Sequence, residues 1–71
     1  MSEVWIVGKQ LIDADEVMQI KTFETLDYKE DITLYGIFFL MEDGKNLAEI
    51  FQDEDFRDTR FASMCRDLMG V

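Results

Sequence analysis

The most apolar stretch of the chain lies in its middle, between two acidic turns. It runs from Ile32 to Met41, and Asp31 and Glu42 flank it. Alternate positions form two sets, Ile32, Leu34, Gly36, Phe38 and Leu40 against Thr33, Tyr35, Ile37, Phe39 and Met41. Both sets are rich in β-branched and aromatic residues, which predicts a strand with apolar contacts on both faces. Because Gly36 and the paired aromatics disfavour a helix, we expect the central strand of a small sheet.

Two further strands are predicted before this stretch. Val4–Val7 is a short β-branched run that ends at Gly8. Residues 17–25 interleave polar with apolar residues, which is typical of a half-exposed strand. Residues 8–12 lead into an acidic loop at 13–16, and the polar residues 26–31 connect the second strand to the central one. Strands joined by so short a connection most simply pair antiparallel.

The segment after Gly44 is compatible with two structures. Its apolar residues recur at helical spacing, at Leu47, Ala48, Ile50 and Phe51. This spacing favours a short helix over residues 45–52, which is our preferred interpretation. In the alternative, Asp43 and Gly44 form a type I′ hairpin turn that leads into a fourth strand over residues 46–51.

The clearest amphipathic pattern lies near the C-terminal end. Apolar residues fall at i, i+3, i+4, i+7 and i+8, at Phe61, Met64, Cys65, Leu68 and Met69. This pattern predicts a helix with one apolar stripe. Residues 53–55 supply N-capping carboxylates before it, and Gly70 is placed to end it. The predicted order of elements is therefore β-β-β-α-α.

These elements predict a single α+β domain over residues 1–71. We expect a small antiparallel sheet of three strands, or four if residues 46–51 are a strand, with one or two C-terminal helices packed on one face. A chain of this length buries only about 60% of its unfolded surface, yet 48% of the residues are hydrophobic. Because so small a core leaves apolar surface exposed, we also expect a homodimer formed through a self-complementary apolar patch.

The residue types argue against most catalytic and metal chemistry. The chain has no His and one cysteine, Cys65, so His-based catalytic pairs, an internal disulfide and a zinc site are disfavoured. Cys65 falls on the apolar stripe of the last helix, where a structural thiol is expected. The glycines are isolated and form no phosphate loop. Residues 13–16 begin like a calcium loop, but Val17 and Met18 follow. We predict no enzyme, no catalytic residues, no metal ion and no cofactor.

The chain is strongly acidic, with a formal net charge of −9 from 16 Asp and Glu against 7 Lys and Arg. Its aromatic content and the absence of Pro indicate a folded rather than a disordered chain. The charge disfavours direct binding to nucleic acid or to an anionic membrane, so a charged partner should be basic. The longest apolar run, residues 35–41, is too short to span a bilayer, and no targeting segment is recognisable, so we expect a cytoplasmic protein.

The acidic residues that could bind such a partner gather in four clusters at the ends of predicted elements. These are the first cluster (Asp13, Asp15, Glu16), the second (Asp27, Glu30, Asp31), the third (Glu42, Asp43) and the fourth (Asp53, Glu54, Asp55, Asp58). Carboxylates at i and i+2 of an extended chain stand about 6 to 7 Å apart, near the spacing of successive phosphates along a nucleic-acid strand. The net charge also exceeds the roughly two to eight that solubility requires. The clusters therefore suggest an electrostatic image of DNA, with a plain solubility surface as the alternative.

Taken whole, the chain resembles the small acidic DNA-mimic proteins with which bacteriophages disable host DNA-binding proteins, and most of all a phage inhibitor of the bacterial histone-like protein HU. The resemblance rests on the short acidic chain, the acidic loops around Trp5 and the apolar strand at 34–38. It implies a homodimer that occupies the DNA-binding surface of an HU-like protein and competes with DNA. Because DNA mimics share charge layout rather than sequence, it assigns no individual binding residue. A structural or assembly subunit of a phage or bacterial complex is the alternative function.

Overall fold

The computed structural model of the protein describes residues 3–69 and has an α+β fold, as predicted. The elements, in chain order, are β1 (Val4–Val7), β2 (Gln10–Asp13), a 3-10 turn (Ala14–Glu16), β3 (Val17–Asp27), β4 (Ile32–Met41), β5 (Asn46–Phe51) and α1 (Glu54–Leu68). Strands β3, β4 and β5 form a three-stranded antiparallel sheet, the main sheet, and β1 and β2 form a separate two-stranded sheet.

The long hairpin of β3 and β4 confirms the prediction for the middle of the chain. Strand β4 covers the predicted apolar stretch and is the central strand of the main sheet. Strand β3 begins at Val17 as expected and extends to Asp27, two residues beyond the predicted end. The two strands pair antiparallel with Phe23 opposite Gly36, and a bulge between Val17 and Gln19 shifts the register at the start of β3.

The predicted helix over residues 45–52 is wrong, because this segment forms strand β5 and pairs with β4. The alternative strand over residues 46–51 is the correct prediction, but the turn before it is not type I′, because Asp43 lacks the positive φ that this turn requires. Gly44 adopts a positive φ of 89° in the turn, and the Asp43 carboxylate accepts the backbone N–H of Lys45 at 2.9 Å. Along β5 the residues alternate between exposed and half-buried, a period of two that a helix would not produce. In residues 3–69, α1 is therefore the single α-helix, and the expected second one is absent.

A strand at residues 10–13 was also missed, since those residues were expected to lead into and begin a loop. Gly8, at a φ of 62°, and Lys9 form a two-residue turn that folds β2 back onto β1. Val7 pairs with Gln10 directly across this turn, the loop length that favours tight hairpins. As a result β1 pairs with β2 and lies outside the main sheet, whereas we had expected it in a common sheet.

The core lies between one face of the main sheet and the layer formed by α1 and the small sheet. Ile37 and Phe39 of β4 are fully buried there, as is Met64 of α1. The ring of Trp5 packs 6.1 Å from that of Phe39, centroid to centroid, and its indole N–H donates to Asp67 near the end of α1 at 2.9 Å. This bond connects β1 to α1. The sequence did not predict a contact between Trp5 and Asp67.

Helix α1 begins as predicted, and its apolar stripe is only partly buried. The carboxylate of Asp53 accepts the N–H groups of Asp55 and Phe56 at 2.9 and 3.4 Å, which caps the helix. Of the predicted stripe, Met64 is buried, Phe61 and Cys65 are half-buried, and Leu68 and Met69 are exposed. The predicted stop at Gly70 lies outside the described residues. No helix within residues 3–69 is long and apolar enough to cross a membrane.

The other face of the main sheet has no element packed on it in the part of the chain that the structure describes. Lys21 and Phe23 of β3, Phe38 of β4 and Ala48 of β5 lie on this face. We call this surface the open face; its apolar residues are centred on Phe23, Leu34, Phe38, Leu40, Ala48 and Ile50. These side chains are half-buried or exposed, so apolar residues do occupy both faces of β4, as expected, but one face remains open to solvent.

Candidate functional site: the acidic surface

Ten of the twelve predicted binding residues are exposed, and Asp13 and Asp27 are half-buried. The clusters lie where the strands and the helix begin or end, as predicted. Two of the four clusters meet in space and the other two stand apart. The geometry of each decides what it can offer to a partner.

The first and third clusters meet at one end of the β3–β4 hairpin. The backbone N–H of Glu42 donates to the carbonyl oxygen of Glu16 at 2.8 Å, and Val17 pairs with Met41 beside this bond. We call the resulting group of carboxylates the joined acidic edge; it consists of Asp13, Asp15, Glu16, Glu42 and Asp43. The edge forms because the hairpin register aligns the start of β3 with the end of β4, two points far apart in the sequence.

The second cluster occupies the opposite end of the hairpin. The turn at residues 28–31 joins β3 to β4, and Asp31 adopts a left-handed φ of 55° within it. With about 3.3 Å of rise per residue, the strands separate this turn from the joined acidic edge by about 30 Å. Glu30 and Asp31 are exposed in the turn. The hairpin therefore holds two acidic groups apart at a length that the strands set.

The fourth cluster surrounds the start of α1 and is partly neutralised by one arginine. Strand β5 ends with Phe51 opposite Tyr35, so the helix begins alongside the middle of β4. The guanidinium of Arg57 contacts two of the acids, with Nε 2.7 Å from Asp58 and Nη2 3.8 Å from Glu54. This cluster consequently offers less unpaired negative charge than its four carboxylates suggest.

Sequence reasoning missed the role of Arg57, which is only 5% exposed. Its Nη1 donates to the carbonyl oxygens of Phe23 and Gly36 at 3.1 and 3.5 Å, and its guanidinium lies 5.4 Å from the centroid of the Tyr35 ring. A planar guanidinium with several donors suits such a site. The one available signal was an arginine placed among four acids at a predicted helix start, and it does not specify the sheet carbonyls as partners.

Each cluster uses one aspartate to build its own backbone turn. These four carboxylates accept the N–H of the residue two positions later at 2.9 to 3.0 Å, and they belong to Asp13, Asp27, Asp43 and Asp53. Such turns explain part of the acidic pattern by local structure alone. Substitution of these four would disturb the fold as well as the charge. Asp15, Glu16 and Glu42 are therefore better probes of binding.

Lys45 does little to offset the charge of Asp43 in the joined acidic edge. Lys45 Nζ lies 3.9 Å from Asp43, and both side chains are largely exposed, so this pair contributes little. Arg60 faces elsewhere: it donates to the Ile6 carbonyl oxygen at 2.9 Å and lies 3.4 Å from Glu49. Asp15, Glu16, Glu42 and Asp43 are all exposed, so the joined acidic edge presents carboxylates to solvent.

No group of three or more carboxylate or thiol side chains within residues 3–69 is placed to hold a metal ion. Comparisons with protein-family models, with curated proteins and with solved structures found no significant match to this chain. Its function is therefore argued from its own surfaces: the acidic clusters and the open face.

Proposed function

We propose that this chain is a DNA-mimic inhibitor that binds the DNA-binding surface of a basic, HU-like nucleoid protein and competes there with DNA. The observation that supports the proposal most is the joined acidic edge, where Glu16 and Glu42 meet through a backbone hydrogen bond of 2.8 Å. It gathers five carboxylates from two separate parts of the chain, and four of the five are exposed. The inhibitor would act in the bacterial cytoplasm, where such targets bind DNA.

Electrostatics supplies the mechanism. The net charge of −9 produces a negative field that speeds encounter with a basic surface. On contact, carboxylates replace DNA phosphates as partners of the target's lysines and arginines. No bond of the target is made or broken, so inhibition lasts only while the complex lasts. Because exposed charges are screened beyond about 8 to 10 Å at physiological salt, the complex should weaken as salt rises.

The fold preorganises the carboxylates of the joined acidic edge. The carboxylates of the edge are carried by the end of β2, the 3-10 turn that precedes β3 and the turn that follows β4, and the pairing of β3 with β4 holds the last two segments next to each other. A preorganised set of charges loses less conformational entropy on binding than a flexible acidic tail does. This supports recognition of a defined basic groove over diffuse attraction to any cation.

Competition for DNA tests the proposal. A labelled duplex bound to an HU-like protein is titrated with the full chain in a gel-shift assay at low and at high salt. We expect displacement of the duplex at low salt that diminishes as salt is raised. Failure to displace DNA from HU-like protein and from a panel of other basic DNA-binding proteins at low salt would overturn the proposal.

The open face favours a second candidate, a non-enzymatic structural or assembly subunit. In such a subunit, the apolar surface around Phe38 and Ile50 would contribute more to partner binding than the charge would. The side chain of Ile50 is 49% exposed. Neutralising Asp15, Glu16 and Glu42 separates the two functions. Loss of partner binding favours mimicry, whereas unchanged binding favours assembly through the open face.

A further inference from the structure

Two side-chain arrangements on the open face of the main sheet lay bulky groups against the strands. The ring of Phe23 lies over Gly36, where a methyl group would collide with it. The Nζ of Lys21 lies 5.2 Å from the centroid of the Phe38 ring, so the lysine side chain extends along the ring rather than away from the sheet. These contacts keep bulky side chains close to the strands. The resulting apolar surface is suited to packing against another sheet.

The open face also differs from the rest of the surface in charge. Strand alternation assigns Lys21 to its middle and Asp27 to its far end, and it places Glu24 and Glu49 on the opposite, covered face. The four acidic clusters lie at the ends of the elements. Two copies of a chain with a net charge of −9 repel one another in most orientations. Contact through the open face leaves the acidic clusters at the rim, where water and salt screen them.

The chain exposes more surface than a compact monomer of its mass. Its accessible surface is 5266 Å², whereas a compact protein of 8.4 kDa exposes about 4600 Å². Its radius of gyration of 12.7 Å likewise exceeds the roughly 11 Å of a compact domain of this length. The molecule is elongated, 41 × 24 × 19 Å, and a second copy packed on the open face would cover part of this excess of about 670 Å².

We propose that the open face is a homodimer interface, in which two copies pack sheet against sheet about a twofold axis. The same patch then serves both copies, as closed symmetry requires. Phe23, Phe38 and Ile50 would interdigitate across about 10 Å between the two sheets. A face of three strands measures only about 14 Å by 25 Å, so this is a small interface and the dimer should dissociate on dilution. The inference does not rest on DNA mimicry, because it uses no residue of the joined acidic edge.

Sedimentation equilibrium of the full chain over a wide range of concentrations tests this assignment. We expect the wild-type mass to rise with concentration from 8.4 kDa towards twice that value. Ala48→Glu puts a carboxylate on the open face, at an exposed position opposite Phe38, and should weaken the dimer at least tenfold. Circular dichroism and thermal unfolding of this variant verify that it is folded.

Leu11→Glu is the matched control. Leu11 is 73% exposed on the small sheet, so this substitution makes the same change in charge on a different apolar surface and should leave the dimer intact. A wild-type chain that stays monomeric at all concentrations would overturn the inference. So would a folded Ala48→Glu variant that dimerises as well as wild type, or a Leu11→Glu variant that weakens the dimer as much.

Discussion

Glu42 donates its backbone N–H to the carbonyl oxygen of Glu16 at 2.8 Å, and this bond joins two acidic loops that are distant in the sequence. The pairing of β3 with β4 brings them together, with Val17 opposite Met41 next to the bond. Carboxylates that lie close together repel one another. The backbone and its hydrogen bonds must therefore hold these carboxylates in place against that repulsion. The proposed binding to a basic partner rests on this edge.

Gly36 leaves room for the Phe23 ring on the open face, and Gly36→Ala should destabilise the protein. The added methyl group collides with the Phe23 ring, which must move or force the strands apart. Overpacking of this kind costs about 1 to 3 kcal/mol of unfolding free energy. Urea unfolding followed by circular dichroism measures the loss.

The double variant Phe23→Leu with Gly36→Ala provides the control for this prediction. A smaller side chain at position 23 leaves room for the methyl group, so the penalty of Gly36→Ala should shrink markedly in that background. An equal penalty in both backgrounds would show that the collision with Phe23 is not its cause.

Arg57 should stabilise the fold through its hydrogen bonds to the main sheet rather than through its charge alone. Arg57→Lys keeps the positive charge but loses the planar group that reaches the carbonyl oxygens of Phe23 and Gly36. We expect a loss of about 2 kcal/mol of unfolding free energy, because hydrogen bonds that involve a charged group contribute about 1.5 to 3 kcal/mol. Urea unfolding measures this loss too.

Arg66→Lys is the matched control, because Arg66 is exposed near the end of α1. Surface substitutions of this kind usually change stability by less than about 0.5 kcal/mol. If Arg57→Lys were as mild as Arg66→Lys, the contacts of Arg57 with the sheet carbonyls would contribute nothing to stability.

Strong local patterns made part of the fold predictable. The apolar residues 32–41 combine β-branched and aromatic side chains with period two, and they form the central strand as expected. Asp53 caps α1 because a side-chain oxygen at this position satisfies backbone donors that the helix cannot. In both places the local preference and the tertiary contacts favour the same structure.

Residues 45–52 were mispredicted because a short segment fits two periods at once. Leu47 and Phe51 stand four residues apart, which suits one face of a helix, but they are also two strand repeats apart and lie on the same face of β5. The segment becomes a strand rather than a helix because it can pair with the edge of β4 that β3 leaves unpaired. The availability of that edge cannot be read from the periodicity of the segment itself. Strand β2 was missed for a similar reason, since its four residues form a strand only against β1.

The acidic residues were found from the sequence, but their grouping was not. Composition and spacing identified twelve exposed or half-exposed carboxylates, whereas the union of the first and third clusters depends on the register of β3 with β4. Similarly, Arg57 neutralises part of the fourth cluster only because its side chain turns back beneath the helix start to the sheet. Charge can be counted in a sequence, but its arrangement requires the fold.

The proposal that the joined acidic edge imitates DNA is tested most directly by two variants of equal charge in the competition assay with HU-like protein. Glu42→Gln removes one charge from the edge, while Glu24→Gln removes one exposed charge that lies far from the edge and belongs to none of the four clusters. We predict that the edge variant displaces DNA about tenfold less effectively, equivalent to about 1.4 kcal/mol, and that the distant variant displaces it nearly as well as wild type. Equal weakening in both variants, or full activity of the edge variant, would contradict the claim.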